Sequence, residues 1–491
     1  MAGALKILVP QTKVLISTAV DHYTKGPPQP SWDLRFHLTF SVLKSLCAGC
    51  IYQTIENAQQ LSCMSPPSLP AGFIEDRVVI SNEYRRRAQP YLEKILSEYE
   101  HVLDDEWKEL EDEKEVERDN EKEDVVGNRK WLSAKWIYSK EQGFKRMMNN
   151  KRVILYLHGG AYFMCSADSH RVITAKIAGE ADALVFAVNY RLAPQHQFPA
   201  AVHDALAAYL YLTNPPEDAG FEAIDPKQIV IMGDSAGGGL AIALGLLIRD
   251  IGMPSVLSPL SDNTDYLPSS GFVYRPSPVL DDFHRKSEAL SKRIKKENRP
   301  QFWDSSLNRE ERVQLYAPNE ALTVSYVSPM CAESLAGLPP MLIQTGDGEK
   351  IRDEIIYFSF KASQPEKYNL PSYNAEKFKR SQFKTPTNVT LEVYQDMPHV
   401  FQLFDFNASA KVAFKHSGEF IKKVINTTKD QTSSLSNDFT PLLNPNESTY
   451  SLITTTGEAV PLKEKHYSVL EWPEVGKAPA VVKSKPTTTN Q

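Results

Sequence analysis

IVIMGDSAGGGLAIALGLLI, residues 229–248, holds two apolar runs joined by glycines around a single serine. The first run is short and β-branched, as suits a strand buried on both faces. The second is longer and rich in Ala and Leu, the composition of a buried helix. A serine on a tight turn between such elements has its hydroxyl pushed away from the backbone, within reach of a base and a substrate carbonyl. Ser235 is therefore a candidate nucleophile, and the rest of the chain has to supply its base.

Outward from this stretch, short apolar segments alternate with helical ones. VILYL (153–157), ALVFAVNY (183–190), MLIQTG (341–346) and VTLEVY (389–394) read as buried strands. PAAVHDALAAYLYL (199–212), RDEIIYFSFKAS (352–363) and ASAKVAFKHSGEFIKKVI (408–425) read as helices. The alternation predicts a doubly wound, mostly parallel α/β sheet.

Three further stretches carry chemistry. VILYL runs into HGGAYF (158–163), where Gly159 and Gly160 let backbone N–H groups turn toward a bound oxygen. With the N–H of Ala236 they are the expected oxyanion hole. VTLEVY leads into DMPHVF (396–401), which sets His399 in a loop after a strand, in the chain order Ser, acid, His. LPPMLIQTGDGEKIRDE (338–354) offers Asp347, Glu349 and Asp353 for the acid, and the residues alone leave these three open.

Together with NYRLAPQHQFPAA (189–201), these motifs resemble the hormone-sensitive lipase family of α/β-hydrolases over roughly residues 130 to 425. GPPQPSWDLRFHL (26–38) adds a weaker resemblance to fungal members. The resemblance implies an α/β-hydrolase fold with a helical N-terminal cap. It places the acid at Glu349, three residues before Arg352-Asp353, with Ser235 and His399 as the other catalytic residues and His158 as support for the oxyanion loop. It implies a serine esterase on small hydrophobic esters that needs no metal or organic cofactor. A lipid-surface lipase and a steryl ester deacetylase share these motifs. A non-catalytic small-molecule receptor on the same fold is the rival of another class, and the His at 399 argues against it. One departure is the short GMPSVLSPLSD (252–262) after the nucleophile helix, where a truncated strand is expected.

Three parts are expected: a cap region with an acidic insertion (1–129), the α/β core (130–429) with a lid-like insertion (262–327), and a disordered tail (430–491) rich in Ser, Thr, Asn and Pro. Asp104 to Asp124 carries thirteen acids against four bases, while the whole chain is at -6, so the remainder is slightly basic. That balance disfavours nucleic acid as a partner. Arg285 to Arg299 holds seven bases, with Phe283, Leu290 and Ile294 on one helical face, a pattern open to peripheral contact with an anionic membrane or lipid droplet. Five scattered cysteines fit reduced, intracellular thiols. The N-terminus reads poorly as a signal peptide and no run reaches spanning length, so a cytoplasmic protein is expected.

Overall fold

The structure is a computed structural model. It describes residues 11–50, 53–63, 66–103, 106–109, 131–150, 152–253, 257–261, 315–318, 321–368, 383–427 and 447–471. The acidic run beyond residue 109 and the basic stretch 285–299 lie outside the described residues.

The strands are β1 (Phe73–Ile80), β2 (Leu132–Ser139), β3 (Val153–Leu157), β4 (Leu184–Asn189), β5 (Ile229–Gly233), β6 (Leu257–Ser261), β7 (Met341–Gly346), β8 (Val389–Tyr394), β9 (Thr449–Ile453) and β10 (Ala459–Pro461). They make one sheet in the order β1-β2-β4-β3-β5-β6-β7-β8-β9-β10. From β4 across to β9 every pairing is parallel, and the antiparallel pairs lie toward the two edges. The apolar runs read as strands are β3, β4, β5, β7 and β8, and the stretches read as helices fold as Ala200–Thr213, Ala236–Asp250, Arg352–Ser363 and Ala408–Thr427.

Alternation along the strands divides the core into two layers. Val153, Leu155 and Leu157 of β3 join one cluster with the helices Ala200–Thr213 and Ala236–Asp250. Ile154 and Tyr156 join the other, with Arg171–Ala181 and Ala408–Thr427. Successive side chains of a strand point to opposite faces, so strands covered on both sides are apolar throughout. From Ala236 through Ile248 every residue of the helix after Ser235 is buried, which explains a helix with no polar face.

The boundaries differ from those expected. β1 lies inside the stretch read as cap, and it escapes a hydropathy reading because Glu75, Asp76 and Arg77 sit in its middle. Those charges have partners: Glu75 accepts from Lys135 Nζ at 3.1 Å and from Arg171 Nε at 2.7 Å. The stretch read as a disordered tail contains β9 and β10, whose residues pair in register with β8 and with each other despite polar surroundings. The shortened stretch after the nucleophile helix does form β6, but with a register shift against β5 and only Leu260 and Ser261 paired to β7. Of the lid-like insertion only 315–318 and 321–327 are described, and there Tyr316 stacks on Tyr162 of the glycine loop at 3.7 Å.

Of the N-terminal helices, Leu34–Cys50 docks beside the loop that carries His399, Thr12–Thr24 packs on it through His22 and His37, and Ile55–Cys63 lies against Phe163 and Ala193 near the glycine loop. Trp32 Nε1 donates to Asp396 O at 2.8 Å, and Phe36 packs on Phe404. Among the described residues no helix is long and apolar enough to cross a membrane.

A buried charge cluster ties the helix Asn82–Leu96 to the sheet-covering helix Ala200–Thr213. Asp204 accepts from Arg85 Nε at 2.7 Å and from the backbone N–H of Arg191 at 2.7 Å, with Arg191 Nη2 at 3.0 Å. Burial opposes ionisation of Asp204, yet Arg191 and Arg85 hold its carboxyl well below the ordinary carboxylate range. His203 is pushed down to about 3 by burial and by Arg191. Its Nε2 donates to Arg85 O at 2.6 Å. Asp204→Asn leaves two guanidinium groups buried without a counter-charge, and is expected to cost about 3–5 kcal/mol of stability in urea unfolding. A midpoint equal to wild type would contradict this role.

Candidate active site

The C-terminal ends of β3, β5, β7 and β8 share one edge of the sheet, the place where a doubly wound fold presents ligand-binding loops. Each of these strands delivers one part of the site: the glycine loop, Ser235, the acidic turn and His399.

Ser235 follows β5 with φ 50° and ψ -128°, a strained conformation for a residue with a Cβ. The turn is so tight that its glycines are required by contact. A Cβ on Gly237 would lie 2.0 Å from Leu157 O, and one on Gly233 would lie 2.2 Å from Gly237 O. The helix Ala236–Asp250 begins immediately after the serine.

His399 Nε2 lies 2.9 Å from Ser235 Oγ, and its Nδ1 lies 2.7 Å from Glu349 Oε2. The Glu349 side chain is only 2% exposed, whereas that of His399 is 41% exposed. The second carboxylate oxygen of Glu349 accepts from Gly346 N at 2.9 Å and from Thr345 Oγ1. Both oxygens are thus committed, and the orientation of the carboxylate is fixed by its own turn.

The other two acids of that turn face elsewhere. Asp353 pairs with Arg352, whose Nε lies 2.8 Å away. Asp347 accepts from Lys465 Nζ at 2.8 Å and His466 Nε2 at 2.9 Å. Against the cost of burial these partners hold its carboxyl well below the ordinary range.

The glycine loop departs from the expected hole at one position. Gly159 N–H donates to Asp234 Oδ1 at 3.1 Å, so it does not point at the site. A Cβ there would lie 2.4 Å from Asp234 Oδ2, and this close approach is what requires glycine at 159. Gly160, with φ +116°, is followed by Ala161 and Tyr162 at φ 52° and 63°, an unusual left-handed run closed by Met164 N donating to Gly160 O at 2.9 Å. The N–H groups of Gly160, Ala161 and Ala236 donate to no group among the described residues. Ala161 was not legible in the sequence as a donor, because its φ gives no sign in its side chain. His158 is fully buried, stacks on Tyr190 at 4.4 Å and lies with Nδ1 2.7 Å from Gly159 O.

Asp234, Tyr156 and His170 form a cluster beneath the loop that sequence reading also missed. Tyr156 Oη donates to Asp234 Oδ1 at 2.5 Å, and His170 Nε2 lies 3.2 Å from Oδ2. Burial works against the Asp234 anion, but His170 and Tyr156 bring it down to about 2. A carboxylate at that position links the glycine loop to the serine turn through Gly159 N–H. The one available signal was an aspartate directly before the serine.

The family described as the α/β-hydrolase fold matches residues 154–365. An acetyl-hydrolase of Streptomyces hygroscopicus is 29% identical over 272 residues, covering 55% of this chain and 73% of that protein. An arylesterase of Saccharolobus solfataricus is 29% identical over 206 residues, covering 42% of this chain and 60% of that protein. Among solved structures, an esterase from the bacterial hormone-sensitive lipase family aligns with a TM-score of 0.46 at 24% identity, covering 78% of this chain and 98% of that one. The match over residues 154–365 and the order of the sheet give the chain an α/β-hydrolase fold.

Proposed function

We propose that the protein is a serine carboxylic-ester hydrolase working through Ser235, His399 and Glu349. The observation that carries this reading is the continuous chain from Ser235 Oγ through both imidazole nitrogens to Glu349 Oε2, at 2.9 and 2.7 Å. Hydrogen-bond contact between nucleophile and base, with the base oriented by a third group, is the geometry that activates a hydroxyl. Relatives named acetyl-hydrolase, arylesterase and esterase support the ester as substrate class.

In this mechanism His399 Nε2 takes the proton as Ser235 Oγ attacks the ester carbonyl. Glu349 keeps the Nδ1 proton in place and stabilises the imidazolium. The N–H groups of Gly160, Ala161 and Ala236 receive the oxyanion, each donor being worth about 3 kcal/mol in the transition state. His399 then protonates the leaving alcohol and activates the water that releases the acyl group. No step calls for a metal or organic cofactor.

A second reading, action on esters at a lipid surface, is favoured by one observation. The helix Thr12–Thr24 leaves Ile16, Val20 and Tyr23 exposed at 61%, 54% and 76%, spaced along one face, with Lys13 and Lys25 near its ends. Hydrolysis of p-nitrophenyl esters of rising acyl length separates the two. An esterase is expected to favour short acyl chains and to follow simple saturation. A preference for long chains, with activity rising above the substrate's solubility limit, supports the lipid-surface reading. No hydrolysis at any length contradicts both.

A further inference from the structure

The turn that carries Glu349 is held from outside by a segment that reads as a polar tail. β9 adds to the sheet alongside β8, with Thr390 to Tyr394 in register with Thr449 to Ile453. Gln395 N, on the way to His399, donates to Ile453 O at 2.9 Å. After β10 the chain makes the short helix Glu464–Tyr467, and two side chains of that helix close on Asp347. Lys465 Nζ lies 2.8 Å from each carboxylate oxygen, and His466 Nε2 lies 2.9 Å from Oδ1.

His466 is suited to holding rather than to reacting. It is fully buried, and Lys463 N–H donates to its Nδ1 at 3.0 Å. That bond leaves the proton on Nε2, where it meets Asp347. Arg352 completes the grip from within the turn, donating to Asp347 O at 2.9 Å and to Oδ1 at 3.1 Å. The segment is itself anchored: Tyr450 stacks on Phe360 at 4.2 Å and lies with its hydroxyl 2.6 Å from Ser363 Oγ, both on the helix that follows Glu349. Val469 is buried in the core.

The next residue, Gly348, donates its N–H to Met397 O at 2.9 Å, which joins the acidic turn to the His399 loop. Asp347 is therefore the point where the C-terminal segment, the acidic turn and the base loop meet, two residues from the carboxylate that orients His399. We propose that Lys465 and His466 are positioning residues for the reaction: by holding Asp347 they fix the turn that aims Glu349 at His399. This rests on reading Ser235, His399 and Glu349 as the catalytic set. A misplacement of about 1 Å in such a set costs on the order of 100-fold in rate.

The test compares full-length wild type, His466→Ala, His466→Gln, Lys465→Met and Ser235→Ala. It follows kcat, KM, the pH dependence of kcat/KM and the thermal midpoint on a p-nitrophenyl ester. His466→Ala is expected to lower kcat about 10- to 100-fold with KM little changed. Its acidic limb should move to lower pH, because a Glu349 that is no longer aimed stabilises the imidazolium less. His466→Gln restores a donor toward Asp347 and should recover much of the loss. Lys465→Met, at a half-exposed position, should move the limb in the same direction by less, and it decides the matter if His466→Ala does not fold. A lowered thermal midpoint with kcat and the acidic limb unchanged would make the segment a stabilising element only and overturn the proposal. Undiminished hydrolysis by Ser235→Ala would instead overturn the catalytic reading beneath it.

Discussion

Replacing Ser235 with alanine is expected to lower kcat by about 10⁵- to 10⁶-fold, to the level left by the oxyanion donors and substrate binding alone. The expectation comes from geometry. Ser235 Oγ lies in hydrogen-bond contact with His399 Nε2, and the serine stands on a turn with φ 50°, a conformation that a residue with a Cβ rarely adopts. Loss of the hydroxyl leaves the fold untouched, since the tightness of the turn rests on Gly233 and Gly237. Circular dichroism and thermal unfolding should therefore match wild type while p-nitrophenyl ester hydrolysis disappears. Hydrolysis within tenfold of wild type would remove Ser235 from the chemistry.

For Glu349→Gln the expected loss in kcat is about 10⁴-fold, the size seen when an orienting carboxylate becomes an amide in a comparable triad. The physical reason is specific to this turn. One oxygen of Glu349 already accepts from Gly346 N and Thr345 Oγ1, so an amide must keep its oxygen there and turn its NH₂ toward His399. Facing a donor, Nδ1 has to accept, which moves the ring proton to Nε2, and that nitrogen then has no lone pair for the serine proton. KM should change little. Asp353→Asn, which disturbs only the pair with Arg352, should stay within a few-fold of wild type in the same assay. Equal losses in the two variants would mean that the acid has been misassigned.

The sheet's centre was legible because burial on both faces favours apolar residues: VILYL and IVIMG announce themselves as β3 and β5, and VTLEVY as β8 although Glu392 is buried there with Tyr394 and His416 as partners. Its edges were not. β1 carries Glu75, Asp76 and Arg77 because an edge strand has a wet face and ion-pair partners in Lys135 and Arg171. β9 is five residues in a Ser- and Thr-rich neighbourhood, and only its pairing with β8 distinguishes it from a tail.

The site divides in the same way. A serine between glycines and a histidine after a strand are local features, and chain order relates them. Which of Asp347, Glu349 and Asp353 turns toward the histidine is decided by side-chain direction within one turn: Asp347 meets Lys465 and His466, more than a hundred residues away, and Asp353 meets Arg352. Gly159 and Gly160 look alike as sequence. They differ because Asp234 sits across from the first and takes its N–H, which leaves the second and Ala161 free to face a substrate. The burial of Asp234 with Tyr156 and His170 is a tertiary fact with no local signature.

The most direct test of a single serine nucleophile at this turn is titration of the full-length protein with a fluorophosphonate, followed by mass-spectrometric mapping of the adduct and assay of residual hydrolysis. One adduct per chain is expected, on Ser235, with p-nitrophenyl ester hydrolysis falling in proportion to labelling. An adduct on a different residue, or hydrolysis that persists when Ser235 is fully occupied, would contradict this assignment.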